Sequence, residues 1–122
     1  MKTVPFGAGT APAVIAGMMR IDGKTDAEIR SLYDTARAAG IDFFDHADIY
    51  GGAMHVCERR FAEALALTPA QRDEIVLQTK CGIVPAEGMF DFSYEHIITQ
   101  VEGSLRALDT DRIDVLLLHR PD

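Results

Sequence analysis

Four side chains of types that can move protons lie at the ends of apolar runs in this sequence. Asp45, Lys80 and His119 each end such a run, and Tyr50 follows Asp45 by five positions. A lysine ammonium beside a phenol stabilises the phenolate, and a carboxylate orients the lysine. A tyrosine held in this way can donate a proton to a carbonyl oxygen as hydride reaches its carbon. A histidine could hydrogen-bond the same oxygen.

Each of these residues also has a purely structural interpretation. Asp45 could cap a loop, and Tyr50 could be a packing aromatic. Lys80 could extend along apolar surface with its amine in water, and His119 could be a buried histidine with satisfied hydrogen bonds. Their occurrence at three consecutive strand ends favours the chemical interpretation over four separate structural ones.

The apolar runs that carry these residues alternate with helical patterns. Apolar runs predict four strands, at 13–19, 41–45, 75–80 and 113–119. Helices are predicted at 26–39, 55–65, 69–72 and 94–108. Strand runs without polar alternation are typical of parallel sheets that are buried on both faces. We therefore expect an α/β fold with right-handed crossovers, in which the site gathers at the carboxyl ends of the strands.

Local signals fix several of these elements. Thr25 with Glu28 predicts a capping box, and Ser93 or Asp91 is expected to cap the last helix. The stretch 7–10 predicts a turn, as of an opening hairpin. Two apolar helix faces are predicted, one of Ile29, Leu32, Tyr33 and Ala36, the other of Ile97, Val101, Leu105 and Leu108.

Length and composition restrict the class of protein. The 122 residues fit one compact domain, and 48% of them are hydrophobic. A net charge of −7 argues against binding to nucleic acid. No apolar stretch is long enough to cross a bilayer. Cys57 and Cys81 fit no CxxC or zinc spacing, so a reduced cytoplasmic protein is expected.

Three sequence blocks resemble the aldo-keto reductase family. Residues 44–51 (FDHADIYG) are similar to the block in which Asp and Tyr lie five positions apart. Residues 78–80 (QTK) resemble the strand with the family's lysine, and residues 105–122 resemble the signature with its histidine. The Asp-His-Ala-Asp-Ile-Tyr-Gly form resembles the oxidoreductase branch of the family. The blocks occur in the family's order and cover essentially the whole chain.

The resemblance implies an NADPH-dependent reductase of aldehydes or ketones. It makes Tyr50 the general acid, Asp45 and Lys80 its tuning pair, and His119 the group that orients the carbonyl. By the same resemblance, Gly17, Met18 and Met19, together with Asp45, lie near the nicotinamide of the cofactor. Methionine replaces the aromatic residue that many members have at Met19.

The resemblance also implies a (β/α)8 barrel, of which this sequence supplies the first four strands. In the family, most cofactor contacts come from the later strands. Three explanations are open: a fragment of a longer enzyme, which we favour, a half-barrel that pairs with a second copy or a partner, or an inactive relic. A half-barrel alone exposes strand edges and an apolar face, so we expect it to self-associate or to be partly disordered.

Two other functions are considered. Asp45, His46, Asp48, His55 and His119 include ligand types for a divalent metal, as in barrel hydrolases, although Lys80 would place a positive charge beside the ion. The chain could instead be a non-catalytic binding or regulatory protein of this fold. No metal is expected, and the substrate is not indicated by the sequence.

Overall fold

The computed structural model describes residues 1–120, and in it parallel strands form a sheet that helices cover on one face. The strands are β1 (Thr3–Phe6), β2 (Gly9–Pro12), β3 (Ala16–Gly17), β4 (Phe43–Asp45), β5 (Val76–Cys81), β6 (Ile83–Val84), β7 (Met89–Phe90) and β8 (Val115–Leu118). The helices are α1 (Asp26–Ala38), α2 (Val56–Leu65), α3 (Pro69–Asp73) and α4 (Tyr94–Leu108). A short 3₁₀ helix spans Pro85–Glu87.

The central sheet has four strands in the order β3-β4-β5-β8, and all of its pairs are parallel. Helices α1, α2 and α4 connect strands that are neighbours in this order. This is the arrangement of successive βα units, in which a helix returns the chain to the start of the next strand. The α/β fold with four parallel strands is thereby confirmed.

The two faces of this sheet have different surroundings. Alternate strand residues point to opposite faces, and Phe44 and Leu77 pack in one core cluster with Ile29 of α1, Phe61 of α2 and Leu108 of α4. We call this side the helix face. Asp45, Gln78 and Lys80 lie at the alternate positions, and we call their side the inner face.

Two antiparallel hairpins accompany the sheet. The pair β1–β2 turns at Gly7 and Ala8, which confirms the opening hairpin, and Phe6 packs edge to face against Phe43 with ring centroids 5.5 Å apart. This contact covers the beginning of β4 on the inner face. The second hairpin, β6–β7, follows β5 directly and was not predicted.

The helix starts follow the local signals. Thr25 and Glu28 form the predicted capping box of α1, and the Ser93 hydroxyl, one of the two candidates, caps α4. Thr68 and Gln71 form a further capping box on α3, with Pro69 in its first turn. Each box satisfies backbone N–H groups that the first helical turn leaves without partners.

Three of the predicted strands are shorter than expected, and the run 113–119 forms only Val115–Leu118. The run 13–19 contributes only Ala16–Gly17 to the sheet, and Val14 and Ile15 are 52% and 43% exposed. The run 41–45 begins its strand at Phe43. The ends of these strands were predicted from the apolar runs alone. The length of a strand also depends on how far it pairs with its neighbour in the sheet, and β3 pairs with β4 over only two residues of each strand.

Three predictions about burial were wrong. The last strand was expected to be buried on both faces, but Leu116, Leu117 and Leu118 are 40%, 39% and 45% exposed. In the described part of the chain, β8 pairs only with β5, so one of its edges is free. Leu32 of α1 is also exposed, and α4 buries Gln100, Gly103 and Ser104 beside Leu108 in place of a wholly apolar stripe.

Candidate active site

The Lys80 ammonium is the centre of a polar cluster on the inner face. Its Nζ donates to Asp45 Oδ2 at 2.8 Å, to the His46 carbonyl oxygen at 2.7 Å and to the Tyr50 hydroxyl at 3.0 Å. Three acceptors match the three donors of an ammonium group. The structure thus brings together Asp45 and Tyr50, predicted at the end of one strand, and Lys80, predicted at the end of the next, and Lys80 is largely buried among them.

Register explains why Asp45 and Lys80 meet. Asp45 lies opposite Gln78 in the β4–β5 pair, and Lys80 follows two residues later on the same face. Gln78 donates from Nε2 to Asp45 Oδ1 at 2.6 Å, so both carboxylate oxygens are bound. Gln78 belonged to the lysine block of the sequence, but no role was predicted for it.

Tyr50 reaches the cluster from the loop that follows β4. Asp48 N–H donates to the Lys80 carbonyl at 3.0 Å, which fastens this loop to the end of β5. Gly51 has a φ of +104°, and a Cβ there would lie 2.7 Å from the Val56 side chain. Glycine therefore allows the chain to turn sharply from Tyr50 into α2.

His119 lies beside Tyr50 at the end of β8. The two rings are perpendicular with centroids 6.0 Å apart, and the His119 N–H donates to the Cys81 carbonyl at 2.8 Å. Burial, and then the charge of Lys80, lower the pKa of His119, which keeps the imidazole neutral near pH 7. Its Nδ1 is buried and has no hydrogen-bond partner among residues 1–120.

The three residues after the first strand have different surroundings. Met18 is buried in the core on the helix side, and its N–H donates to the Asp45 carbonyl at 2.9 Å. Gly17 lies opposite Asp45 in register, and a Cβ there would meet nothing within 4 Å. Met19 is 48% exposed. Gly17 therefore presents open surface beside Asp45 of the Lys80 cluster, and Met19 is exposed two residues further along the chain.

Metal ligation has no support in the described residues. No three His, Cys, Asp or Glu side chains within residues 1–120 are placed to bind an ion together. Asp45 is bound to Lys80, and the His46 ring packs edge to face on Phe61 at 4.7 Å on the helix side. Burial lowers the pKa of His46 to about 4.

Polar residues buried behind the sheet form hydrogen bonds that the sequence analysis did not predict. Asp48 accepts a hydrogen bond from Gln100 of α4 at 2.7 Å, and burial raises the pKa of Asp48. Glu58 is fully buried in α2 and accepts three hydrogen bonds from other side chains. The spacing of Gln100 and Ser104, with Gly103 between them, is the sequence signal that places polar groups on one face of α4.

No helix within residues 1–120 is long and apolar enough to cross a membrane.

Comparisons with known proteins place the chain in a family. The model of the Aldo/keto reductase family matches residues 13–122. The uncharacterized oxidoreductase YcsN of Bacillus subtilis is 48% identical over 119 residues, which cover 89% of this chain and 39% of that protein. A 6-dehydroglucose reductase of Agrobacterium fabrum is 38% identical over 120 residues, which cover 89% of this chain and 40% of that protein.

A solved structure agrees with this assignment. The holo form of an aldo-keto reductase from Bacillus halodurans superposes with a TM-score of 0.79 at 31% identity, covering 98% of this chain and 40% of that one. The chain thus spans about 40% of the length of these relatives. Its parallel sheet matches the N-terminal part of the (β/α)8 barrel. The chain belongs to the aldo/keto reductase family.

Proposed function

We propose that the site reduces aldehydes or ketones to alcohols with NADPH. The observation that carries the proposal is the contact of Lys80 Nζ with both the Tyr50 hydroxyl, at 3.0 Å, and Asp45, at 2.8 Å. Such a tyrosine is equipped to donate a proton and to leave a stabilised phenolate. The printed names of the relatives, an oxidoreductase and a reductase, agree with this class of reaction.

In this proposal Tyr50 is the general acid. The Lys80 ammonium stabilises the phenolate that remains after proton donation, and Asp45 fixes the direction of the ammonium. His119 is neutral because burial and Lys80 lower its pKa. A neutral imidazole can donate one hydrogen bond to the carbonyl oxygen without adding a second cation. Proton donor and orienting group then contact the same oxygen.

NADPH, when bound, supplies the hydride to the carbonyl carbon. The residues here that would lie against its nicotinamide end are Gly17 and Met19, with Asp45 beside them. They fit that role because Gly17 leaves open space at the end of β3 and Met19 is exposed there. Met18 acts from the core, where it supports this corner of the site.

We further propose that the four residues work inside a closed barrel. The sheet of residues 1–120 has four strands, and a closed (β/α)8 barrel needs eight. The other four come either from further sequence of the same protein or from a second copy of this chain. In the second case, the exposed leucines of β8 lie at the contact, and the chain self-associates.

The test of the function is Tyr50→Phe in the protein at its natural length. The change removes the proton donor and keeps the ring, so kcat for carbonyl reduction should fall about 10²- to 10⁴-fold. Tyr94→Phe is the matched control, because Tyr94 is 75% exposed at the start of α4. The assay follows consumption of NADPH, and of NADH in parallel, with a panel of aldehydes and ketones.

The two variants separate the outcomes. A Tyr50→Phe protein that is as active as Tyr94→Phe would contradict the assignment of Tyr50. Wild-type protein that neither binds NADPH nor reduces any carbonyl would favour a non-catalytic role for the fold.

A further inference from the structure

A buried charge lies on the helix face, directly behind the Lys80 cluster. Glu58 of α2 is 0% exposed, although a carboxylate in the interior is costly unless it is fully bonded. His55, Thr79 and Ser104 surround it, and we call these four residues the Glu58 cluster. None of the four is part of the proposed reaction.

The Glu58 carboxylate joins three parts of the fold. Its Oε1 accepts hydrogen bonds from His55 at 2.7 Å and from Ser104 of α4 at 3.1 Å, and its Oε2 accepts from Thr79 of β5 at 2.9 Å. Burial alone would raise the pKa of Glu58, but these hydrogen bonds lower it below its ordinary value. The carboxylate is therefore ionised, and its hydrogen bonds are of the stronger, charge-assisted kind.

The backbone makes room for this cluster. His55 has a left-handed φ of +63°, which places its ring between α2 and α4. On α4, Gly103 faces that ring, and a Cβ at this position would lie 2.3 Å from His55 Nε2. Any larger residue would push the imidazole away from Glu58. Close approach of the two helices and the bonds to Glu58 therefore depend on each other.

The link to the candidate active site is the covalent chain of β5. Thr79 and Lys80 are consecutive, so they point to opposite faces of the sheet. Thr79 is held by Glu58 on the helix face, while Lys80 Nζ meets Tyr50 and Asp45 on the inner face. A shift of the backbone at Thr79 shifts the ammonium as well.

We propose that Glu58 is a positioning residue for Lys80, acting through its hydrogen bond with Thr79. The two helices supply fixed points for this clamp, and α4 holds the neighbouring loop too, through Gln100 and Asp48. Displacement of a reacting group by about 1 Å can cost on the order of a hundredfold in rate. The proposal rests on the role of Lys80 in the proposed function.

The test uses Thr79→Val, which removes only the hydroxyl that bonds Glu58 and keeps the shape of the side chain. Ser104→Ala is the matched control, because it removes a hydrogen bond from the same carboxylate on the α4 side. Thr79→Ser restores the hydroxyl and should restore the wild-type behaviour. If Thr79→Val fails to fold, Glu58→Gln is measured in its place, because it removes the charge of the carboxylate that Thr79 contacts.

The first readout is NMR of protein labelled at the lysine ε-carbon. These 122 residues contain three lysines, Lys2, Lys24 and Lys80, so the spectrum of this chain is simple. Lys80 Nζ lies 4.8 Å from the centroid of the Tyr50 ring, which sets its methylene signal apart by the ring current. Thr79→Val should move this signal toward those of Lys2 and Lys24, and Ser104→Ala should move it less, because Glu58 keeps its bonds to His55 and Thr79.

The second readout is the kinetics of the active protein. Thr79→Val should lower kcat about tenfold to a hundredfold with little change in KM, and Thr79→Ser should recover it. A Thr79→Val protein with the Lys80 signal in place would overturn the proposal, whatever its melting temperature. The NMR readout needs no turnover, so a failure of the proposed reductase function would leave the NMR result unchanged. The failure of the positioning proposal and the failure of the reductase function can therefore be told apart.

Discussion

The two faces of the central sheet carry opposite kinds of interaction. On the helix face, Phe44 and Leu77 are almost completely buried in one core with the helices. On the inner face, Lys80 and Asp45 form an ion pair that is partly open to solvent, and Leu117 beside them is 39% exposed. The same strands thus supply core residues on one side and the candidate chemistry on the other.

This difference between the two faces explains how the Lys80 cluster is held in place although the inner face of the four-stranded sheet is open. Apolar burial on the helix face contributes stability that does not depend on the inner face. The inner face can then keep polar groups whose bonds are directed at one another rather than at the core. Stability should therefore respond mainly to substitutions of apolar residues on the helix face, and candidate activity to substitutions in the Lys80 cluster and in the Glu58 cluster that positions it.

The largest effect that tests this contrast is expected from a matched pair of leucines. Leu77 of β5 is 1% exposed on the helix face, and Leu117 of the neighbouring strand lies on the inner face. Leu77→Ala should lower the free energy of unfolding by about 3 kcal/mol, through lost burial and the cavity left behind. Leu117→Ala should lower it by less than about 1 kcal/mol.

The measurement is denaturant unfolding of both variants at low protein concentration, where association does not contribute. Equal losses for the two leucines would show that Leu117, on the edge strand β8, is as well packed as Leu77 in the core. In that case the difference in burial between the two strand residues would not produce a difference in stability between the two sites.

A second, smaller effect concerns charge on the helix face. His46 is fully buried there, and burial lowers its pKa from 6.5 to about 4. Between these two values the unfolded chain binds a proton at His46 and the folded chain does not. Stability is therefore complete above pH 6.5 and is lost as the pH falls toward 4.

By pH 5 this loss should be about 2 kcal/mol relative to pH 7. His46→Phe removes the titrating group and keeps a flat ring against Phe61. Between pH 7 and pH 5 the free energy of unfolding of this variant should therefore fall by about 2 kcal/mol less than that of the wild type. Urea unfolding of both proteins at pH 7 and pH 5 measures the difference. Parallel losses in the two proteins would mean that folded His46 takes up its proton as readily as an exposed histidine.

Much of the fold was predictable because its signals are local. Thr25 and Glu28 identify a helix start within four residues of sequence, and apolar runs mark the strands. The hairpin β6–β7 was missed because each strand has two residues, too few for any periodicity. The exposure of β8 was mispredicted because a sequence pattern records what a strand can bury, and not whether a neighbour is there to bury it.

The candidate site was predictable in part for the same reason. Parallel strands bring their carboxyl ends together, so Asp45, Tyr50 and Lys80 could be grouped from their places along the chain. Glu58 could not, since a glutamate at the start of a helix is usually a solvated residue. Two of its three partners, Thr79 and Ser104, come from distant parts of the sequence, and only the packing of α2 against β5 and α4 brings them to it.

The smallest expected effect tests whether the inner face is free or self-associates. Leu117 and Leu32 are both leucines, 39% and 38% exposed, but Leu32 lies on α1, away from the open edge of the sheet. If the sheet associates with a second copy, Leu117→Lys should weaken the association about tenfold, or about 1.4 kcal/mol. Leu32→Lys adds the same charge elsewhere and should leave the association unchanged.

Analytical ultracentrifugation of the 122-residue chain over a range of concentrations measures the association of both variants. Equal weakening by the two lysines would indicate a general effect of charge, and a wild-type chain that stays monomeric would leave further sequence of the same protein as the source of the other four strands.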